Sequence, residues 1–191
     1  MSLVLTPSQL VAASNLRLAN IDIKKSLANY EDTGKNFLAM GAFKVDKTAI
    51  KILLEGELTT DGITSAEFNK IPSYSFGLRL DSNDDTEAFE TLSEKFAEYL
   101  QENDCDDWDL NHFIKDDKLY VKLKTIDKKR FGVLSNIKLD PKKLGDSNLF
   151  RGQRVQVYGE LGVYCNLPDK KGGITFTARK LVFSKDEEEL N

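Results

Sequence analysis

A short stretch near residue 120 places an aromatic ring and two cations on one side of an extended chain. Between residues 118 and 125, apolar residues alternate with Tyr120, Lys122 and Lys124. Because successive side chains of a strand point to opposite faces, these three polar residues share one face. A tyrosine can stack on a nucleobase, and lysines beside it can contact the phosphates of the same strand. The pattern therefore indicates a surface for single-stranded nucleic acid.

The same residue types recur further along the chain. Arg154 and Tyr158 alternate with Val155 and Val157, and basic residues follow in two turns and on the last strand. The candidate nucleic-acid-binding residues are Tyr120, Lys122, Lys124, Lys128, Lys129, Arg130, Arg154, Tyr158, Tyr164, Lys170, Lys171 and Arg179. We predict that the cations contact phosphates, that the tyrosines stack on bases, and that all converge along one trough.

Charge is distributed in blocks along the chain. Residues 1–80 carry 9 basic and 8 acidic side chains, residues 81–117 carry 2 and 14, and residues 118–185 carry 16 and 5. The end, residues 186–191, adds four acids, and the net charge is -4. A basic region suits a polyanion, and an acidic block suits a shielding or partner-binding role. An acidic tail could compete with DNA and recruit replication proteins, or it could simply aid solubility.

Enzymatic signals are few. His112 is the single histidine, and Cys105 and Cys165 lie far apart, so the sequence offers no zinc cluster. No glycine-rich phosphate loop occurs. The acidic stretch 104–109 lacks the central glycine of a calcium loop. We predict no cofactor, no metal and no catalysis, although acids meeting on strands could still build a two-metal nuclease.

Each of these residue types also has a purely structural explanation. Lysines on the outer face of a strand are commonly solvated and oppose aggregation. Phe131, Phe176 and Phe183 are expected in the core, and Trp108 is expected to anchor its acidic loop to the domain. The coincidence of many cations with interleaved aromatics in one β-patterned region favours the binding interpretation.

The elements that would position these residues can be predicted from periodicity. Thr6, followed by Pro7 and Gln9, predicts a capped helix that continues to about residue 14. Residues 15–35 are ambiguous and end at Gly34. Strands are predicted at 37–45 and 48–58, with Asp46 and Lys47 as the turn between them, and at 74–80. Apolar residues at spacings of three and four predict a helix at 84–102 with an acidic outer face.

Beyond residue 117 the pattern is β throughout. Strands are predicted at 118–125, 131–139, 154–158, 163–167 and 174–184, with a hairpin turn at 168–173. Gly159 and Gly162 indicate a bulge or bend. Four or five short strands with one strongly curved pair are typical of a small closed barrel. We predict one domain over 1–185 with core strands at about 37–80 and 118–184, and a flexible tail at 186–191.

The chain has no apolar run long enough to span a membrane and no signal-peptide pattern. Two distant cysteines are expected to be free thiols in a reducing compartment, although they could pair. We therefore predict a cytoplasmic protein, located in the host cytoplasm if it is viral.

The C-terminal third resembles the single-stranded DNA-binding proteins of phages and large DNA viruses. The similar segments are 119–124, 150–157, 163–164 and 173–183, followed by the acidic tail. The heavy acidic charge of 84–109 and the absence of an aromatic residue at the end of the tail depart from that pattern.

This resemblance implies a mainly β protein with minor α, built as an OB-fold-type five-stranded Greek-key barrel with an added acidic helix and N-terminal elaborations. It also implies non-specific binding of single-stranded DNA during viral replication or recombination, without a membrane partner. RNA in place of DNA and a homodimer stay open. The alternatives are a protein-interaction or virion scaffold module that uses the acidic helix, and a metal-dependent nuclease.

Overall fold

The computed structural model of the chain describes residues 3–35, 37–46, 49–62, 64–68, 71–111, 114–115, 118–123, 132–134 and 149–183. The elements within these ranges are β1 (Leu3–Leu5), α1 (Pro7–Ala12), β2 (Leu16–Ala19), α2 (Ile23–Thr33), β3 (Leu38–Val45), β4 (Ile50–Leu58), β5 (Thr64–Phe68), β6 (Ile71–Leu80), α3 (Asn83–Glu102), β7 (Asp109–Asn111), β8 (Ile114–Lys115), β9 (Lys118–Leu123), β10 (Gly132–Leu134), β11 (Arg154–Asn166) and β12 (Lys171–Phe183). Among the helices of this described part, none has the length and apolarity needed to cross a membrane.

Five strands close into a barrel. They follow one another in the order β4, β6, β9, β12 and β11, and β11 pairs with β4 again. All neighbours are antiparallel except β9 and β12, which are parallel. A closed five-stranded Greek-key barrel of this kind is the OB-fold. The prediction of a mainly β protein with an OB-fold-type barrel is therefore confirmed.

Strict alternation fills the barrel interior. On β11, Val155, Val157, Leu161 and Val163 are buried, whereas the residues between them, apart from the two glycines, are exposed or half-buried. Inward residues from every barrel strand join one hydrophobic core with the helices. Since the inner face is committed to this core, the outer face is the part of the barrel left to meet a ligand.

Strands β3 and β4 do not form the hairpin that a turn between two consecutive strands would make. They lie end to end along the same edge of β11, with Leu38–Ala42 opposite Gly162–Asn166 and Ile52–Glu57 opposite Arg154–Gly159. Glu160 and Leu161 fall between the two registers and pair with neither strand. The predicted turn is present at Asp46, where φ is 53°, but the two strands that it follows and precedes pair with β11 and not with each other, and Lys47 lies outside the described residues.

The first helix begins where its sequence predicts. Thr6 and Gln9 form a reciprocal capping box, and the backbone N–H of Ser8 donates to Asp85 at the start of α3, at 3.0 Å. The helix ends at Ala12, two residues earlier than predicted. In the ambiguous segment that follows, strand β2 pairs with β3, and α2 is capped by Asp22 and ends at Gly34 in the left-handed conformation, with φ 66°.

The acidic helix α3 matches its predicted bounds to within one residue. Ser82 caps it by accepting from the backbone N–H of Asp85, and two acids in the first turn face the positive end of the helix dipole. Its apolar stripe is buried, and Phe96 lies against Gly172, where an added Cβ would approach its ring to 3.2 Å. In chain order α3 connects the second and third barrel strands, and it leaves its acidic face in solvent.

The β11–β12 hairpin is the longest pairing of the fold. Its second strand, β12, begins at Lys171, three residues before the predicted start at 174. The turn that closes the hairpin includes Lys170 at φ 51°. The register shifts between Tyr158 and Gly159, which confirms the predicted bulge.

Trp108 is 9% exposed and anchors its loop as predicted, and Cys105 and Cys165 are buried free thiols. Phe176 is in the core; Phe131 lies outside the described residues.

Candidate nucleic-acid interface

The outer face of the barrel carries a row of small residues that crosses three strands. Gly162 of β11 is the register partner of both Ala42 on β3 and Thr175 on β12. A Cβ added to Gly162 would lie 3.3 Å from the hydroxyl of Thr175 and 2.4 Å from the carbonyl oxygen of Gly41. The row is therefore a low strip between taller side chains, and we call it the trough floor.

An apolar and aromatic wall borders the trough floor on the side of the β11–β12 turn. Met40 and Tyr164 are register partners, two residues along their strands from Ala42 and Gly162. Met40 is 56% exposed, and the hydroxyl of Tyr164 accepts a hydrogen bond from the side-chain amide of Asn111. Gly173, beneath the ring, would bring an added Cβ within 3.1 Å of it. Tyr164 is thus held across the face of the sheet rather than free to rotate into solvent.

The apolar wall continues at the start of β3. Phe37 and Leu38 are 58% and 51% exposed, and the ring of Phe37 contacts that of Tyr30 edge-on, with centroids 5.7 Å apart. Exposed large apolar side chains that cluster in this way indicate a contact surface.

Cations form the opposite wall. Arg17 on β2 and Lys44 on β3 are register partners, and Lys44 lies two residues beyond Ala42. The Lys44 ammonium has no hydrogen bond or ion pair with the part of the chain that the structure describes. Further along this wall, Arg179 of β12 pairs with Glu160 of β11 at 3.1 Å. The Nε atom of Arg179 is buried without a partner among the described atoms. This wall thus contains two cations free of carboxylates and one held by a carboxylate.

The two walls are separated by a distance suited to one strand. Met40 and Lys44 are four residues apart on β3, as are Tyr164 and Glu160 on β11, which gives about 13 Å between walls at about 3.3 Å per residue. One wall offers apolar surface to bases and the other offers charge to phosphates. We call the floor and both walls together the outer trough.

Two of the predicted residues extend the rows of the outer trough. The register places Tyr120 of β9 opposite Gly77, and places Lys122 opposite both Ser75 and Thr177. Thr177 is in turn the partner of Glu160. The backbone of β9 therefore continues the cationic row at Lys122, while Tyr120 lies two residues away toward the floor.

The structure does not bring Arg154 to the outer trough. It lies six residues before Glu160 on β11, about 20 Å away. There it pairs with Asp81, beside a second pair formed by Arg79 and Glu57. Cations and carboxylates are balanced in this patch, which lies apart from the outer trough, so Arg154 does not converge there with Tyr164.

Tyr158 lies between that patch and the outer trough. It is half-buried, and the ammonium of Lys180 stands over its ring, 5.0 Å from the centroid. One face of the ring is thus covered by a cation, which leaves less of the ring for a base than at Tyr164. The assignment of Tyr158 as a stacking residue stays a prediction.

The hairpin turn carries two of the predicted cations. Lys170 donates to Asp107 at 2.9 Å, and the contact raises the pKa of Lys170 and lowers the pKa of Asp107. Lys171 is exposed and lies opposite Asn166, one row beyond the apolar wall. Of the remaining predicted residues, Lys124, Lys128, Lys129 and Arg130 lie outside the described residues, as does the acidic tail.

Sequence reasoning missed Arg17, Lys44 and Met40. Residues 15–35 gave no clear period, so the β2–β3 pairing that aligns Arg17 with Lys44 was not anticipated. Met40 is an apolar residue in an apolar-rich strand and reads as core. The outward position of Met40 does have a signal in the sequence. Leu38, Met40, Ala42 and Lys44 alternate with Ala39 and Phe43, which are buried.

Metal chemistry finds no support in the described part of the chain. No group of three or more histidine, cysteine, aspartate or glutamate side chains there is arranged to hold a metal ion. The two cysteines are not poised as nucleophiles, since burial raises the pKa of both thiols, that of Cys165 to about 12.

Solved structures that are similar to the chain include two phage single-stranded DNA-binding proteins. One is gp2.5 of bacteriophage T7, with TM-score 0.47 and 12% identity over 69% of this chain and 91% of that one. The other is the bacteriophage Enc34 protein in complex with single-stranded DNA, with TM-score 0.43 and 14% identity over 80% and 89%. They are the class of protein that the sequence resembles. No family model and no curated protein matches the chain.

Proposed function

We propose that this protein binds single-stranded DNA without sequence preference, in the outer trough, and acts in viral DNA replication or recombination without catalysing a reaction. The observation that carries the proposal is the arrangement across three strands of a floor of small residues between an apolar wall and a cationic wall. Aromatic and apolar surface beside a basic track is how single strands are bound irrespective of sequence.

Each part of the trough has a role in this proposal. Tyr164 and Met40 support bases, since any base presents an apolar face to them. Lys44, Arg17 and the terminal guanidinium nitrogens of Arg179 contact phosphates. The predicted residues Tyr120 and Lys122 extend the site on β9, and Lys124, Lys128, Lys129 and Arg130, which follow in the sequence, are proposed as further phosphate contacts. Lys171, which lies beyond the apolar wall, and Lys170, which is paired with Asp107, attract the strand through their charge from the hairpin turn.

Further parts of the proposal concern the acidic tail, the location of the protein and its oligomeric state. The acidic tail at 186–191 competes with DNA for the cations and recruits replication proteins. The protein is proposed to act in the cytoplasm of the host. Sedimentation of the free protein decides between a monomer and a homodimer.

A titration followed by fluorescence anisotropy tests the proposal. Labelled oligo-dT, a duplex of equal length and an RNA strand are each titrated at several salt concentrations. We expect tight binding of oligo-dT, weaker binding of duplex, and an affinity that falls linearly with salt on a logarithmic plot, because each phosphate contact releases condensed ions. No binding of oligo-dT at low salt would reject the proposal.

A charge-matched pair of variants locates the site. Arg17→Gln with Lys44→Gln removes two cations from the outer trough, while Lys24→Gln with Lys25→Gln removes two exposed cations at the start of α2. Each lost phosphate contact reduces the magnitude of the salt slope by about 0.7 on single strands. We expect a loss of about 1.4 in the first variant and little change in the second. Equal losses in both would mean that net charge, and not the trough, controls binding.

A further inference from the structure

The cationic wall of the outer trough is interrupted by a cavity. It opens where β3 and β4 part from each other along β11, at Glu160 and Leu161, which pair with neither strand. Its volume is about 550 Å³, within the roughly 300–1,000 Å³ typical of small-ligand sites. Because Glu160 also pairs with Arg179, the cavity mouth lies directly on the trough.

The lining of the cavity combines an apolar floor with a charged rim. Leu10, Phe43 and Ile52 form the floor, and each is almost completely buried. Arg17 and Lys44 lie on the rim together with carboxylates, and the guanidinium of Arg17 donates to the backbone carbonyl of Asp46 at 3.2 Å, which fixes its position. A flat apolar group entering the cavity would have an anionic group attached to it held at the rim.

We propose that this cavity takes one nucleotide of the bound strand, with its base turned out of the trough against Phe43 and its phosphate at Arg17 and Lys44. A nucleotide matches the lining, since it joins a flat ring to an anion over a short distance. Turning one base out of the stack costs little in a strand that is already unpaired. The inference rests on the proposed function, because the nucleotide belongs to the strand in the trough.

Photo-crosslinking tests the inference directly. Oligo-dT in which single thymines are replaced by 5-iodouracil is bound to the full chain and irradiated, and the attached residues are identified by mass spectrometry. We expect adducts on both Tyr164 and Phe43. Phe43 is only 6% exposed, so a base reaches it through this cavity or through a second one of about 230 Å³, whose lining includes Glu98 and Glu102, carboxylates that repel a phosphate. Adducts on Tyr164 with none on Phe43 would overturn the inference and leave the trough intact. A lack of retention on oligo-dT would instead reject the proposed function.

A variant that blocks the mouth of the cavity provides a second test of the inference. Ala49 lies at the cavity and outside the trough floor, so Ala49→Trp places an indole in the cavity mouth. Ala12→Trp adds the same group at an exposed position at the end of α1 and serves as the control. We expect the yield of the Phe43 adduct to fall at least fivefold in the first variant and to stay unchanged in the second, with the Tyr164 adduct retained in both. An unchanged Phe43 adduct in Ala49→Trp would refute the cavity as its route. Thermal melts establish that both variants are folded.

Discussion

Replacing Tyr164 by alanine tests the apolar wall at its best-defined residue. The ring lies over Gly173, is held by Asn111, and has Met40 beside it. Loss of an aromatic platform costs about 1–3 kcal/mol per stacked base. At about 1.4 kcal/mol per factor of ten, that range corresponds to a dissociation constant raised roughly 5- to 150-fold. The position of the ring over one row of the sheet allows it to serve one base, so we expect a value inside this range.

The assay is an anisotropy titration with oligo-dT at fixed salt, and two further variants make its result specific. Tyr164→Phe keeps the ring and loses only the hydrogen bond with Asn111, so its affinity should stay within about threefold, as expected for one hydrogen bond of about 0.5 kcal/mol. Phe150→Ala truncates another exposed ring, which lies just before the opposite end of β11, and should bind normally. If Tyr164→Ala binds as tightly as the wild type while remaining folded, the stacking role assigned to this wall is wrong.

Three further predictions follow from the electrostatics and packing around the site. Glu160→Gln releases Arg179 from an exposed ion pair worth about 0–1 kcal/mol, so affinity for oligo-dT should rise by up to about fivefold in the same titration; a weaker complex would contradict a role for Arg179. Burial raises the pKa of Cys165 to about 12, so the folded state loses stability as pH rises from about 9 toward 12, by about 1 kcal/mol per pH unit. Urea denaturation at pH 8 and pH 10 should show this loss in the wild type beyond any loss in Cys165→Ala. Gly159→Ala would place a Cβ 2.3 Å from the carbonyl oxygen of Thr177, and urea denaturation should show a loss of about 1–3 kcal/mol; an unchanged midpoint would mean that the bulge relaxes freely.

The elements that follow from local pattern could be predicted well. Helix α3 has an apolar stripe, a serine cap and acids in its first turn, and all of these act within a few residues. The β11–β12 hairpin and its bulge are signalled by alternation, by two glycines and by a turn rich in lysine and glycine. In each case the physical cause lies inside the segment, so the segment alone is sufficient.

The site could be predicted only in part, because it depends on register between distant strands. Nothing in the sequence near Ala42 indicates that it lies beside Gly162, about 120 positions later, with Thr175 on the other side. From the sequence alone, the aromatic and basic residues of β11 and β12 are predicted to form one row along each strand, whereas the outer trough crosses the strands. Arg154 and Tyr164 have the same alternation phase on one strand and lie about 33 Å apart along it.

The direction of the bound strand differs between a site that crosses the strands of the barrel in the outer trough and a site that runs along the length of β11. If the strand crosses the barrel in the outer trough, from β2 over β3, β11, β12 and β9 to β6, it traverses five interstrand steps of about 4.8 Å each, or about 24 Å. At about 3.4 Å per stacked nucleotide that accommodates at most about seven nucleotides, and fewer if the strand is extended.

If the strand instead ran along β11 from Arg154 to the hairpin turn, it would cover about 40 Å, which accommodates about 12 nucleotides at the same stacked rise. Titrations with oligo-dT of increasing length distinguish the two. We expect the affinity to rise steeply up to about seven nucleotides and then only in proportion to the number of overlapping sites. A steep rise that continues to twelve or more would place the strand along the hairpin and restore Arg154 and Tyr158 to the site, because only that path reaches them.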